Sequence, residues 1–284
     1  MIRHRRAHSR GTGVSAKKKG GNLEDETPLS GGFVTEAVKV GDTVRRAVGP
    51  WSPAVHALLE HLESAGYDGA PRYRGMDERG REVLSFVEGV VPDGAHPEVV
   101  TDLALRDVGG LVRSLHRTVE GFKLPPGRHW HFASLGGPGP HVVCHHDLSP
   151  KNTVFRNGRA VAFIDWDLAT PEAPIHDVVH AAWQFVPLAS DEACARQGWP
   201  RPPERGRRLR LLLDAYGLPD GDREGFALRV AERMETTASG IEALAAGGKP
   251  AFQSLAEGGV PGSIRRDRAL VEARAEEFDR AIRS

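Results

Sequence analysis

Apolar residues recur at two different periods along the chain, and the switches between them mark out its elements. GGFVTEAVKVGDTVRRAVG, residues 31–49, carries two β-branched segments joined at Gly41-Asp42, the pattern of a hairpin. WSPAVHALLEHLESAGY changes period. Val55, Leu58, Leu59 and Leu62 fall at i, i+3, i+4 and i+7 on one helical face, with Ser52 as the expected N-cap and Pro53 at the first helical position. PRYRGMDERGREVLSFVEG returns to an extended pattern that turns near Asp77–Gly80. Residues 29–89 therefore predict a small sheet with one inserted helix and too little core to stand alone.

Beyond residue 90 helices dominate. Val108, Leu111, Val112 and Leu115 share one face of DLALRDVGGLVRSLHRTV, and a Pro/Gly-rich loop follows over residues 125–140. TVFRNGRAVAFID holds Asn157-Gly158 between β-branched segments, the strongest hairpin signal in the chain. RRLRLLLDAYGL, FALRVAERMETTASGIEAL and RALVEARAEEFDRAI predict three further helices. We find no internal repeat.

A chain of 284 residues can bury a full core, as one large domain or two lobes. It has no apolar run of about eighteen residues, so no membrane span is expected. No apolar segment follows the basic N-terminus, so no secretory signal is expected. Two cysteines, Cys144 and Cys194, are too few for a disulfide framework and suit a reducing cytoplasm. The balanced net charge conceals an asymmetry. Seven of the 38 basic residues lie in residues 1–20 without an acid, leaving 31 against 38 acidic residues, a net −7, in residues 21–284. The basic segment lacks apolar periodicity and reads as a disordered, solvated tail over residues 1–28, with nucleic acid not an expected partner.

The chemistry concentrates in CHHDLSPKNTVFRNGRAVAFIDWD, residues 144–167. A two-residue turn would set Arg156 opposite Arg159, Phe155 opposite Ala160, Val154 opposite Val161, Thr153 opposite Ala162 and Asn152 opposite Phe163. Period-two alternation then makes Asn152 and Asp165 diagonal neighbours on one face, with Cβ atoms roughly 7 Å apart. An amide oxygen and a carboxylate at that separation suit one hard cation such as Mg²⁺, which takes few protein oxygens and completes its shell with phosphate and water. Asp147, five residues before Asn152, is placed to accept a proton without ligating the metal.

These residues support a resemblance. HHDLSPKN has the spacing of the kinase catalytic loop H-R-D-L-x-x-x-N, and IDWD stands in the place of D-F-G. With Trp166 after the aspartate, the short interval between the motifs, Leu115-His116 and the aspartate of Pro174-Ile175-His176-Asp177, the chain resembles aminoglycoside phosphotransferases and choline-kinase-like small-molecule kinases over most of residues 30–284. The resemblance implies an α+β, two-lobed protein-kinase-like fold. A small antiparallel-sheet N-lobe with one helix would occupy residues 29–89, and a larger, mainly helical C-lobe residues 90–284. It further implies transfer of the γ-phosphoryl group of ATP or GTP, with Mg²⁺, to a hydroxyl of a small molecule, aminoglycoside-like or another metabolite, in the cytoplasm.

By the same resemblance Asp147 is the catalytic base, Asn152 and Asp165 hold Mg²⁺, and His145 braces the loop. Arg46 would contact the phosphates, spaced from Val44 as the lysine of V-A-I-K is from its small residue, with Arg45 the alternative. Gly31 and Gly32, with Phe33, would form the phosphate flap. VLSFVEG would be the hinge, presenting the backbone of Ser85 and Val87 to the nucleotide base. Three departures stand out. Arginine replaces lysine, which keeps the charge but changes its geometry. Val55 and His56 occupy the place of the helix glutamate that normally pairs with that cation, and Glu60 comes a turn later. His146 stands where the family has glycine.

Other readings of the same residues are weaker. A nucleotide-binding pseudokinase is motivated by the missing glutamate, but such a protein has little need of Asp147. HDVVH, residues 176–180, sets His176 and His180 on one helical face as in a zincin, yet its aspartate is shorter than the glutamate that chemistry requires. A zinc hydrolase site from His129, His131, His141, Cys144, His145 and His146 matches no common ligand spacing. GTGVSA in the tail follows no strand, and Gly247-Gly248-Lys249 lacks the residues of a P-loop.

Overall fold

The computed structural model describes residues 26–29, 37–134 and 141–283. The first part is a five-stranded antiparallel sheet in the order β1-β2-β3-β5-β4, built from β1 (Thr27–Pro28), β2 (Ala37–Val40), β3 (Thr43–Arg46), β4 (Tyr73–Met76) and β5 (Glu82–Ser85). Gly41, with φ of 59°, makes the tight β2–β3 turn that the Gly-Asp pair predicts. Between β3 and β4 runs α1 (Ser52–Ser64), which buries Val55, Leu58, Leu59 and Leu62 as the periodicity requires. Its start differs from expectation. Trp51 is the cap and Ser52 the first helical residue, because a tight turn from Gly49 uses the Ser52 hydroxyl as acceptor for the Gly49 amide at 3.0 Å.

The second part is mainly helical. It comprises α2 (Asp102–Thr118), α3 (Ile175–Phe185), α4 (Asp191–Arg196), α5 (Arg205–Tyr216), α6 (Phe226–Ala246), α7 (Pro250–Glu257), α8 (Val260–Ala273) and α9 (Ala275–Arg283). Two short ladders join them: β6 (Val142–Cys144) with β9 (Thr170–Glu172), and β7 (Thr153–Arg156) with β8 (Arg159–Phe163). The expected last helix is in fact two, broken at Arg274. The short α7 has no counterpart in the sequence reading: its eight residues hold only Phe252 and Leu255 as large apolar side chains, half-buried against the core, too few to set a helical period. α2 is capped by Thr101, whose hydroxyl accepts the Ala104 amide at 3.2 Å. Its Gly109 lets α5 approach closely: a Cβ there would stand 2.5 Å from the Leu212 carbonyl oxygen.

The core centres on Phe163, Trp166, Phe185, Phe226 and Phe278, all fully buried, and continues into the apolar face of α1. Side chains of this size contribute roughly 1.5–3 kcal/mol each when withdrawn from water. The result is the α+β, two-lobed arrangement expected from the sequence. One backbone pair ties the linker to the C-lobe. Val90 and Phe155 exchange both amide hydrogen bonds at 2.8 Å, and Gly89, at φ 147°, leaves no room for a side chain against Phe155.

Candidate active site

β6 delivers the chain to His145, and the loop that follows is held from behind. The buried Asp177 carboxylate, in the first turn of α3, accepts the amides of His145 and His146 at 2.8 Å each. His116 Nε2 approaches the same carboxylate at 3.1 Å, while its Nδ1 meets the Tyr216 hydroxyl at 3.0 Å. These contacts hold Asp177 far below the usual carboxylate range despite its complete burial. His146 adopts φ of 66°, the left-handed conformation that glycine tolerates best, which accounts for the glycine expected at this position. His145 accepts the Asp147 amide on Nδ1 at 3.3 Å, so Nε2 carries the proton and donates to the Ile164 carbonyl at 3.1 Å. His145 thus braces the loop.

The hairpin both keeps and breaks the expected register. Asn157 and Gly158 are both left-handed, at φ of 52° and 73°, and Arg156 opposes Arg159 and Phe155 opposes Ala160 as predicted. A bulge then shifts the ladder by one, so Val154 faces Ala162 and Thr153 faces Phe163. Asn152 does not lie in the strand opposite Phe163. It ends a single 3-10 turn, Pro150–Asn152, and its carbonyl accepts the Ile164 amide at 2.8 Å. Asp165 has also left the strand, at φ of 63°. The diagonal-neighbour argument therefore fails as geometry, because a bulge adds a residue to one strand only.

The Asn152 side chain turns to the loop: Nδ2 donates to Asp147 Oδ2 at 2.7 Å and to the Asp147 carbonyl at 3.0 Å. That fixes the amide orientation and leaves Oδ1 as its outward atom. Burial would raise the Asp147 carboxyl, but His180, His145 and Asn152 outweigh it and hold it below its usual range. Asp165 shifts the other way. Its recessed position, with Asp167 and Asp147 nearby, raises it against the opposing charge of Arg46. An outward amide oxygen and a carboxylate open to the cleft form a hard, all-oxygen donor set that fits Mg²⁺.

From the N-lobe, Arg46 reaches across the cleft. It donates to Asp165 Oδ1 at 3.1 Å and to Asp167 Oδ1 at 2.6 Å, and it pairs with Glu82. Burial opposes its charge, but Asp167, Glu82 and Asp165 raise the guanidinium above its ordinary value. Arg45 lies on the alternate face, its Nε bonded to the Thr43 hydroxyl at 3.2 Å. Sequence reasoning missed Glu82. It sits opposite Arg46 in the β3–β5 register and replaces the absent helix glutamate, while His56 of α1 binds its other oxygen at 2.6 Å. His56 also stacks on Tyr73, with ring centroids 3.8 Å apart. Glu60 is exposed and takes no part. The available signal was a lone carboxylate opening the apolar strand EVLS, in register with Arg46.

At the expected hinge, the Ser85 amide is committed to the Arg72 carbonyl at 2.8 Å and that of Phe86 to Asp42 at 2.7 Å. Val87 makes no hydrogen bond among the described residues, so of the two hinge residues only Val87 has a main-chain donor to offer. Gly31 and Gly32, with Phe33, lie outside the described residues, as does residues 1–25 of the expected tail. The histidines of the zinc reading are dispersed: His131 stacks on Trp51, His145 braces the loop, and His141 is 3.9 Å from Glu172. His116, Cys144 and Asp177 do lie together. However, Asp177 is saturated by amides and His116, and burial pushes the Cys144 thiol up, away from the thiolate a metal needs.

The fold and cleft define a kinase-like protein, and comparisons with known proteins agree. The chain is similar to a choline/ethanolamine kinase family protein from Mesorhizobium loti, with a TM-score of 0.61 at 16% identity over 93% of this chain and 94% of that one. It is similar in fold to an amicoumacin kinase solved with AMP-PNP, Ca²⁺ and Ami, with a TM-score of 0.61 at 12% identity over 89% of each chain. A spectinomycin phosphotransferase solved with ADP and spectinomycin gives a TM-score of 0.55 at 12% identity, over 89% of this chain and 93% of that one. The model of the phosphotransferase enzyme family matches residues 127–209. The trifolitoxin immunity protein of Rhizobium leguminosarum bv. trifolii is 39% identical over 208 residues, 72% of this chain and 78% of that protein. The chain belongs to the phosphotransferase enzyme family.

Proposed function

We propose that the protein is an O-phosphotransferase that moves the γ-phosphoryl group of ATP, or of GTP, to a hydroxyl of a small molecule. The observation that carries this reading is the convergence of Asp147 and Asn152 with Asp165, which Arg46 tethers to the N-lobe. Asp147 accepts the acceptor's proton. The acceptor oxygen forms the new bond to phosphorus as the bond to the departing nucleoside diphosphate breaks. Holding the nucleophile in line, with its proton already directed at a carboxylate, supplies much of the rate. Asn152 and Asp165 would hold Mg²⁺, which neutralises phosphate charge when bound. Arg46 would face the phosphates, and Val87 the base.

A cavity of about 240 Å³ supports a small acceptor. Its lining includes Ser149 and Pro150, two and three residues past Asp147, together with Trp183, Gln184, Leu188 and Asp267. A nucleotide-consumption screen across hydroxylated small molecules, with Asp147→Ala as the blank, tests the reading. Turnover on an identified acceptor that survives in Asp147→Ala would exclude Asp147 as the base.

The name of the 39%-identical relative favours one acceptor class. We infer that the phosphorylated compound is a toxin, inactivated by the added charge. Expression in a sensitive bacterium should raise survival to that toxin, and Asp147→Ala should abolish the protection. Equal protection by both would mean sequestration rather than phosphorylation.

A further inference from the structure

We propose that His180 is a positioning residue for Asp147, oriented in turn by Arg233; the inference rests on the phosphotransferase reading above. α3 presents Asp177 and His180 three residues apart, on the same helical face. Asp177 holds the loop backbone, and His180 lies behind the loop's carboxylate. His180 is 4% exposed. Its Nδ1 accepts a hydrogen bond from Arg233 Nε of α6 at 3.1 Å, so the proton resides on Nε2. The Nε2–H points at Asp147 Oδ1 from 3.6 Å and has no hydrogen-bond partner.

That separation is informative. A buried N–H left unsatisfied is unfavourable, and a carboxylate shift of well under an ångström closes the bond. Catalytic hydrogen bonds are commonly long in the free enzyme and tighten with substrate. Asn152 already holds Oδ2, so His180 fixes the second oxygen and leaves one lone-pair direction on each oxygen for the acceptor hydroxyl. Burial and the Arg233 charge lower the imidazole, so it serves as a neutral donor. Arg233 also donates to the His146 carbonyl at 2.8 Å, coupling α6 to the same loop. The HDVVH spacing that resembles a zincin thus has a use without metal: its aspartate and second histidine grip one loop at two points.

The test compares His180→Phe, His180→Gln and Arg233→Met in the full-length chain. His180→Phe keeps the ring and removes both nitrogens. It should lower kcat about tenfold or more, with the KM for nucleotide unchanged. His180→Gln restores a donor near Nε2 and should recover most of the rate. A normal kcat in His180→Phe, or a glutamine variant as slow as the phenylalanine one at equal thermal stability, overturns the proposal. Histidine ¹⁵N spectra give a readout that needs no turnover. His180 should be neutral and protonated on Nε2, and Arg233→Met should populate the other tautomer. An Nδ1-protonated wild-type ring overturns the arrangement even if phosphorylation is found. A correct tautomer without turnover on any acceptor would fault the phosphotransferase reading instead.

Discussion

Glu82→Gln removes the charge that pairs, within the N-lobe sheet, with Arg46, the side chain that reaches Asp165, the proposed metal ligand, while preserving shape. The two side chains are 12% and 1% exposed, so solvent screens the pair little. Removing one member of a buried pair costs about 3–5 kcal/mol when the survivor is left uncompensated. Arg46 keeps Asp165 and Asp167, which brings the electrostatic loss below that range, and one lost acceptor for Arg46 or His56 adds about 1 kcal/mol. The expected loss is about 2–3 kcal/mol, read from the urea midpoint at pH 7. Burial acts to raise the Glu82 carboxyl, but the His56 hydrogen bond and the Arg46 charge outweigh it and hold it low. Its contribution is therefore full above the unfolded value of about 4.3 and is lost as pH falls through the folded value, so the gap between wild type and variant should close in acid. Freed from β5, Arg46 should settle onto the aspartates, and Mg²⁺–nucleotide affinity should fall about tenfold by calorimetry, about 1.4 kcal/mol. A midpoint within about 0.5 kcal/mol of wild type, together with unchanged affinity, would refute the view that the strand glutamate stands in for the helix one.

Asn152→Ala and Asp165→Ala are each expected to weaken Mg²⁺–nucleotide binding about tenfold or more, the scale of one lost charge-assisted contact, measured by calorimetry. Gly109→Ala should lower stability by about 1–3 kcal/mol in thermal melts, although alanine is the better helix former, because its methyl would meet the Leu212 carbonyl oxygen at 2.5 Å. Burial pushes the His146 imidazole down to about 4. Below its unfolded value of about 6.5 the unfolded chain takes up the proton first, so stability should drop on the order of 3 kcal/mol between pH 6.5 and 4. His146→Asn, which suits the left-handed backbone, should flatten that limb in urea titrations at stepped pH.

The expected helices and hairpins match where one face is buried continuously. α1 and α2 carry apolar stripes long enough to override local detail, and Gly41-Asp42 and Asn157-Gly158 specify turns through backbone conformations few residues adopt. α7 rests only Phe252 and Leu255 on the core over eight residues, too short a stripe to show a period. The shift at Val154 is a different failure. A bulge changes register through the packing of both strands, and neither strand's alternation reports it. Strict alternation therefore misplaces Asn152 and Asp165, both of which lie outside the two strands.

The sequence by itself determined the lobes, the turns and the spacing of Asp147, Asn152 and Asp165, because these depend on local conformation and on residue types a few positions apart. Only the tertiary structure decided which charges meet. Glu82 reaches Arg46 through strand pairing across 36 residues, and Arg233 reaches His180 through helix packing across 53. Such partners are chosen by distance in space, since the interaction of two charges depends on their separation and burial and not on the length of chain between them.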